Sequence, residues 1–137
     1  MQKGNDSVKP KILLVILWLV QILLAFLFGW AGYLKLFQPV EQLEAIGMSF
    51  VHSYDELTVR IIGLAELLGA VGLILPSMLR IWPVLTPISS AGLGVVMILA
   101  TKFHLSHGEP ILSSVLFLGL CVFICWGRFF KFPIQGK

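Results

Sequence analysis

Four long stretches of the chain are apolar almost without a break, and the polar residues collect between them. The first runs from Ile12 to Leu34, interrupted only by Gln21. The second, from about Thr58 to Leu75, holds a single carboxylate, Glu66. The third extends from about Pro83 to Thr101 and the fourth from about Ile111 to Phe129. A hydrocarbon core about 30 Å thick takes roughly 20 apolar residues of helix to cross, so each stretch predicts a transmembrane α-helix. The loops after the second and third stretches are short, which makes successive helices antiparallel neighbours. The expected fold is therefore all-α, an integral membrane four-helix bundle with up-down topology.

Polar residues mark where these helices begin and end. Ser53-Tyr54-Asp55-Glu56 reads as a capping box ahead of the second span, with Ser53 as cap and Glu56 reaching back. Pro76 is expected to stop that span. Thr86-Pro87 marks the true start of the third span or a kink in it. Gly108-Glu109-Pro110 opens the fourth, and Pro133 follows its end. Between Lys35 and Leu57 the connection is long enough for structure of its own. Val40, Leu43 and Ile46 fall on one side at helical spacing, Glu41 and Glu44 face elsewhere, and Gly47 can end the turn. A short helix on the membrane surface is expected there.

Composition strengthens this reading. Of 137 residues, 58% are hydrophobic and only 12% charged, whereas a soluble domain carries about 25% charged residues. A water-soluble fold of this chain would expose wide apolar areas; the bilayer removes that difficulty. The net charge of +3 is less informative than its distribution. With the N-terminus inside, Lys3, Lys9, Lys11, Arg80, Arg128, Lys131 and Lys137 lie on the cytoplasmic side, against Lys35, Arg60 and Lys102 outside. Seven against three favours cytoplasmic N- and C-termini. Trp30 and Tyr33 then sit at the outer interface, and Trp82 and Trp126 at the inner one. Residues 1–11 read as a basic cytoplasmic segment, 12–132 as one membrane domain and 133–137 as a cytoplasmic tail. The first span is too long for a signal-peptide core and is followed by no small-x-small site, so it is read as retained. A multi-pass protein of a bacterial inner (cell) membrane is expected, with the lipid bilayer as its surroundings. The few basic residues do not interleave with aromatic ones on a polar face, which argues against nucleic acid as a partner.

Glu66 is the residue with most to say about chemistry. It lies about eight positions into its span, roughly 10–12 Å below the outer boundary. A carboxylate at that depth costs a few kcal/mol and nearly always faces the bundle interior. Gly63, Gly69 and Gly72 recur at three-residue steps around it and allow a neighbouring helix to come close. Lys35, Lys102 and Arg60 are the cations within reach. One reading is a buried ion pair that fixes helix packing; the other is a binding or proton-handling site in the outer half of the bundle.

Other candidates carry less. His52, His104, His107 and Glu109 all fall on the outer side, but no HExxH or Cys/His set accompanies them, and they read as interfacial residues of a wet loop rather than metal ligands. Cys121 and Cys125 are four apart inside an apolar helix, the wrong spacing for a redox pair and too far apart for an easy disulfide. Ser89, Ser90, Ala91, Gly92 and Gly94 read as a close helix contact. No nucleophile with a paired base is visible.

The stretch from Gly29 to Pro39 (GWAGYLKLFQP) and the stretch from Ile62 to Pro76 (IGLAELLGAVGLILP) resemble the first and second helices of the DoxX and DoxX-like membrane family. The end of the third span, Met97 to His104, and Trp126-Gly127-Arg128 at the close of the fourth are similar to that family too. The likeness covers nearly the whole chain after Ile12. It implies a four-helix membrane bundle and matches Lys35 and Glu66 to the family's polar positions, with Lys102 and His104 as weaker matches. Relatives include a membrane subunit associated with thiosulfate:quinone oxidoreduction. Taken with the residues, the resemblance leads to the expectation of an accessory or small-molecule-binding membrane component; its candidate polar site is Lys35, Glu66, Lys102 and His104, to which Arg60 is added by its place one to two turns above Glu66 on the same helix. Its alternatives are a membrane subunit of an oxidoreductase acting with quinone, and a small transporter. No haem, flavin or iron–sulfur motif is visible, so a redox role would run through a partner membrane subunit or a diffusible quinone.

Overall fold

A computed structural model describes residues 3–137, with side chains from Pro10 onward; Lys3 and Lys9 of the basic segment fall outside the described side chains. Five α-helices follow one another: α1 (Lys3–Phe37), α2 (Val40–Ala45), α3 (Glu56–Leu79), α4 (Leu85–Ser106) and α5 (Leu112–Trp126). A 3₁₀ turn (Ser49–His52) lies between α2 and α3, and a π-helical segment (Gly127–Lys131) continues α5. No strand occurs among the described residues. Four of the helices are long and apolar enough to cross a membrane.

Contacts between helices give the up-down order. Gly32 of α1 meets Gly63 of α3, while Gln21 of α1 meets Ser77 of α3. Gly69 and Gly72 of α3 pack on Leu93 and Ser89 of α4, and Ser90 of α4 donates to the carbonyl of Cys121 on α5 at 2.6 Å. Phe28 packs on Phe117 and Arg128 reaches Gln21, so the last helix closes back on the first. One end of the bundle, called the upper end below, carries α2, the 3₁₀ turn and the α4–α5 loop. The lower end carries both chain ends and the α3–α4 turn.

Leu24, Phe28, Ala70, Leu73, Leu93, Met97, Cys121 and Ile124 form the central core, contributed by all four long helices. Outward-facing positions are also apolar: Leu19, Phe26, Leu68, Leu99 and Leu116 are all exposed. In the bilayer these side chains meet hydrocarbon, and all four spanning elements are helices, which satisfy their backbone polar groups internally. The aromatic residues Trp30 and Tyr33 near one interface, and Trp82 and Trp126 near the other, are exposed as well.

The closest approach is between α1 and α3. A Cβ added at Gly32 would lie 2.6 Å from the carbonyl oxygen of Gly63 and 2.7 Å from the amide nitrogen of Leu67. At Gly63 it would lie 2.7 Å from the Cβ of Lys35. Hydrogen at these two positions lets the backbones touch.

Several expected helix ends are corrected. The N-cap of α3 is Asp55, not Ser53, and no capping box forms. Asp55 Oδ1 instead accepts from the Thr58 hydroxyl at 2.5 Å, which holds the exposed carboxyl below its usual range. Glu56 turns to Arg60, one turn on, at 2.8 Å. Pro76 does not stop α3: the helix continues to Leu79 and ends where Arg80 adopts a left-handed conformation, φ 57°. A proline forfeits one intrahelical bond, and the bundle tolerates that three residues before the end. Pro87 sits in the first turn of α4, where its missing N–H costs nothing. Among the described residues α1 already runs from Lys3, ahead of the apolar stretch that opens at Ile12.

The short helix of the upper loop is present as α2, and Gly47 follows it with φ 97°. Its apolar side is narrower than the spacing suggested: Leu43 packs with Val51 and Val59, but Ile46 is exposed. Residues 133–137 are tied down rather than trailing, with Arg80 Nε donating to the carbonyl of Gln135 and the amide of Lys137 donating to the carbonyl of Arg80.

Candidate functional site

The α1 and α3 backbones touch near Gly32 and Gly63, and that contact sets Lys35, in the last turn of α1, beside Glu66, ten residues into α3. Lys35 Nζ donates to both carboxylate oxygens at 2.7 Å. Both residues are buried, Glu66 to 2% exposure and Lys35 to 8%. The ammonium also lies 5.3 Å from the centre of the Phe50 ring, a cation–π contact supplied by the 3₁₀ turn.

Arg60 does not reach Glu66. Its Nη1 donates to the carbonyls of Lys35 and Gln38, both at 2.6 Å, and its Nη2 binds Glu56. Arg60 thereby caps the C-terminal end of α1, where free carbonyls and the helix dipole favour a cation. Its service to the pair is to fix the backbone from which Lys35 projects.

Beside the pair is a chamber of about 700 Å³, within the range of small-molecule sites. Lys35 and Glu66 line it from α1 and α3, Met97 and Ala100 from α4, and Ser114 and Phe117 from α5. Its upper wall is aromatic. Phe50 stands edge-on to Phe103 at 6.4 Å, Tyr54 lies 5.9 Å from Phe103, and His107 stacks on Phe103 at 4.1 Å. Lys102 is exposed at the rim and makes no ion pair among the described residues.

His104 also lines the chamber, but its Nδ1 is engaged with Glu109 at 2.5 Å. The other oxygen of Glu109 accepts from Ser49 at 2.8 Å. Glu109 thus clasps the α4–α5 loop to the 3₁₀ turn across the chamber's upper end. The hydrogen bond from His104, followed by that from Ser49, holds the Glu109 carboxyl below its usual range. His107 turns to Phe103 and Ser106, and His52 pairs with Glu44 on the exposed surface. No group of three His, Cys, Asp or Glu residues is poised for a metal among the described residues.

Residue spacing alone did not reveal two features. The aromatic wall is one, because Phe103 is about fifty residues from Phe50 and Tyr54 and meets them only in the fold. The second is a polar network at the lower end. Gln21 Nε2 donates to the carbonyl of Leu73 and to Ser77 Oγ, and Ser77 pairs with Thr86 at 2.6 Å. Gln21 Oε1 accepts from Arg128 Nε at 3.0 Å. Arg128 is therefore not an exposed interfacial charge: it is 4% exposed, with its guanidinium 4.8 Å from the centre of the Trp18 ring. The one signal was Gln21, a lone amide in an apolar span.

The network and the chamber occupy opposite ends of the bundle, separated by the core. A family model described as the DoxX-like family matches residues 19–127, which include the chamber's lining and Gln21, Ser77 and Thr86 of the network, with Arg128 just beyond. No curated protein and no solved structure matches the chain.

Proposed function

The chain belongs to the DoxX-like family of membrane proteins, and from that premise we propose that it binds a small amphiphilic molecule in its upper chamber, as an accessory component of the membrane. The observation that carries this reading is that the buried ion pair, besides joining α1 to α3 at their close contact, also lines the wall of a cavity. A pair serving packing alone needs no space beside it.

The pair has capacity left over. Lys35 has three N–H donors and uses two on Glu66. Each Glu66 oxygen keeps a lone pair. A polar head bearing a carbonyl can accept from Lys35, and one bearing a hydroxyl can donate to Glu66. The Phe50, Tyr54 and Phe103 rings suit a flat head, so a quinone or quinol fits both requirements. By the distribution of basic residues the chamber faces outward, with both termini in the cytoplasm of a bacterial cell.

A second reading uses the same chamber. As a membrane subunit of an oxidoreductase, the protein would hold a quinol whose two electrons pass to a redox centre of a partner subunit while Glu66 accepts one of the two protons released. The His104–Glu109 contact at the upper end favours this reading, because it puts a second proton-exchanging group on the chamber wall.

Linkage tests the binding reading. A ligand that binds only the folded state raises its stability by mass action. Adding a membrane lipid extract that contains quinones should raise the unfolding temperature of the detergent-solubilised protein, and should leave that of Glu66→Gln where it is. An equal rise in both proteins, or none in either, refutes the site.

A further inference from the structure

A second concavity lies below the chamber on the α3–α4 seam. It holds about 250 Å³ and is lined by Ala65, Leu68 and Gly69 from α3 and by Ser89, Gly92 and Leu93 from α4. Val96 completes its lining and also lines the chamber, so the two hollows adjoin at that side chain. Its lower end is shut. A Cβ at Gly69 would meet the Leu93 side chain at 2.6 Å, and one at Gly72 would overlap Ser89 Oγ. From Val96 to Ser89 the α4 helix rises ~10 Å.

The two spaces differ in chemistry. The chamber is walled by the ion pair, histidines and aromatic rings. The crevice is apolar apart from the Ser89 hydroxyl, and Ala65, Leu68 and Gly92 on its walls are exposed toward lipid. Its concavity comes from small residues: a Cβ built at Gly92 meets nothing within 4 Å.

We infer that the ligand of the chamber carries a single flexible apolar tail, which leaves past Val96 and lies in the α3–α4 crevice. The inference rests on the reading of the chamber as a binding site and adds the class of ligand: a tailed lipid-soluble molecule, not a compact solute. Bulk lipid chains are as apolar as the crevice and gain only packing by entering it. A tail tethered to a bound head is held there at high effective concentration.

The test uses the full chain in phosphatidylcholine nanodiscs and two probes. One is a tailless dimethoxy-methyl-benzoquinone; the other is the same ring on a decyl tail ending in a diazirine. After irradiation, label is expected in the segments holding Leu68-Gly69 and Gly92-Leu93. Gly92→Leu, which fills open space, should cut that labelling about tenfold, equal to ~1.4 kcal/mol, and leave binding of the tailless ring unchanged. Ala65→Phe, on the opposite wall, should act in the same way. Label spread evenly over exposed positions such as Leu19, Phe26 and Leu116, or unchanged in both variants, overturns the tail site; the chamber reading survives that result if the tailless ring still binds. Saturable binding of neither probe overturns the chamber reading and the tail with it.

Discussion

Removing one member of the Lys35–Glu66 pair should cost far more than removing both. At 2.7 Å the mutual attraction of two unit charges is ~6 kcal/mol at an effective dielectric constant of about 20. Against it stands the loss of hydration, several kcal/mol for each ion. The pair as a whole is thus close to neutral compared with apolar side chains of the same size. A single deletion forfeits the attraction and keeps one desolvation penalty. Lys35→Met leaves a short carboxylate buried ten residues into α3 without its cation and should cost ~3–5 kcal/mol. Glu66→Leu leaves the ammonium on a long stem at the end of α1, able to reach toward the interface, and should cost ~2–3 kcal/mol. The double variant should lie within ~1 kcal/mol of the wild type, a coupling of at least ~4 kcal/mol. Reversible unfolding in mixed micelles, followed by circular dichroism across the four proteins, measures the cycle. Single variants within ~0.5 kcal/mol of the wild type, or a double variant equal to the sum of the singles, would refute this reasoning.

Three further outcomes follow from the geometry. Gly32→Leu places a side chain against the α3 backbone and should cost at least ~3 kcal/mol, seen as loss of the monodisperse species on gel filtration, whereas Gly92→Ala should be neutral. Arg60→Met frees the carbonyls of Lys35 and Gln38 and should cost ~2–3 kcal/mol; hydrogen exchange in the last turn of α1 should quicken, and unchanged exchange there would contradict the capping role. The clasp at Glu109 should depend on pH with a definite sign. Its carboxyl is held below the usual glutamate value of 4.5 in the folded protein, so its stabilisation is fully present above that value and disappears as pH falls through the lower folded one. A carboxyl-carbon NMR titration should show this, with the tie between Ser49 and the α4–α5 loop loosening in the same acidic range and Glu109→Gln abolishing the transition.

The number and order of the spanning helices were legible in the sequence because lipid imposes a long, nearly uninterrupted apolar run on each one. That Glu66 needs a cation was legible for a related reason, since a lone carboxylate at that depth has to find one; which of Lys35, Lys102 and Arg60 it meets was not, because that depends on how α1 packs on α3. Helix ends were read less well. Ser53 and Pro76 carry the local chemistry of a cap and a stop, but Thr58 and Arg60 claim the carboxylates of Asp55 and Glu56 instead, and the bundle carries α3 past its proline. Arg60 reads in the sequence as a candidate partner of Glu66 and Arg128 as one basic residue of the inner side, since neither the carbonyls at the end of α1 nor the amide of Gln21 can be assigned to them before the helices are packed. The chamber itself was hidden. Phe50, Tyr54 and Phe103 look in sequence like any interfacial aromatic residues, and an empty volume leaves no mark on the chain that surrounds it.

Native mass spectrometry of the protein extracted in a mild detergent tests most directly whether the chamber is a binding site. Wild-type protein should carry a retained small molecule, and Ala100→Trp, which puts a bulky side chain into the chamber from α4 and leaves both Lys35 and Glu66 in the chain, should lose it while remaining folded. A wild-type chain that carries nothing, or a molecule retained equally by Ala100→Trp, would contradict the account and leave the buried pair as a packing device alone.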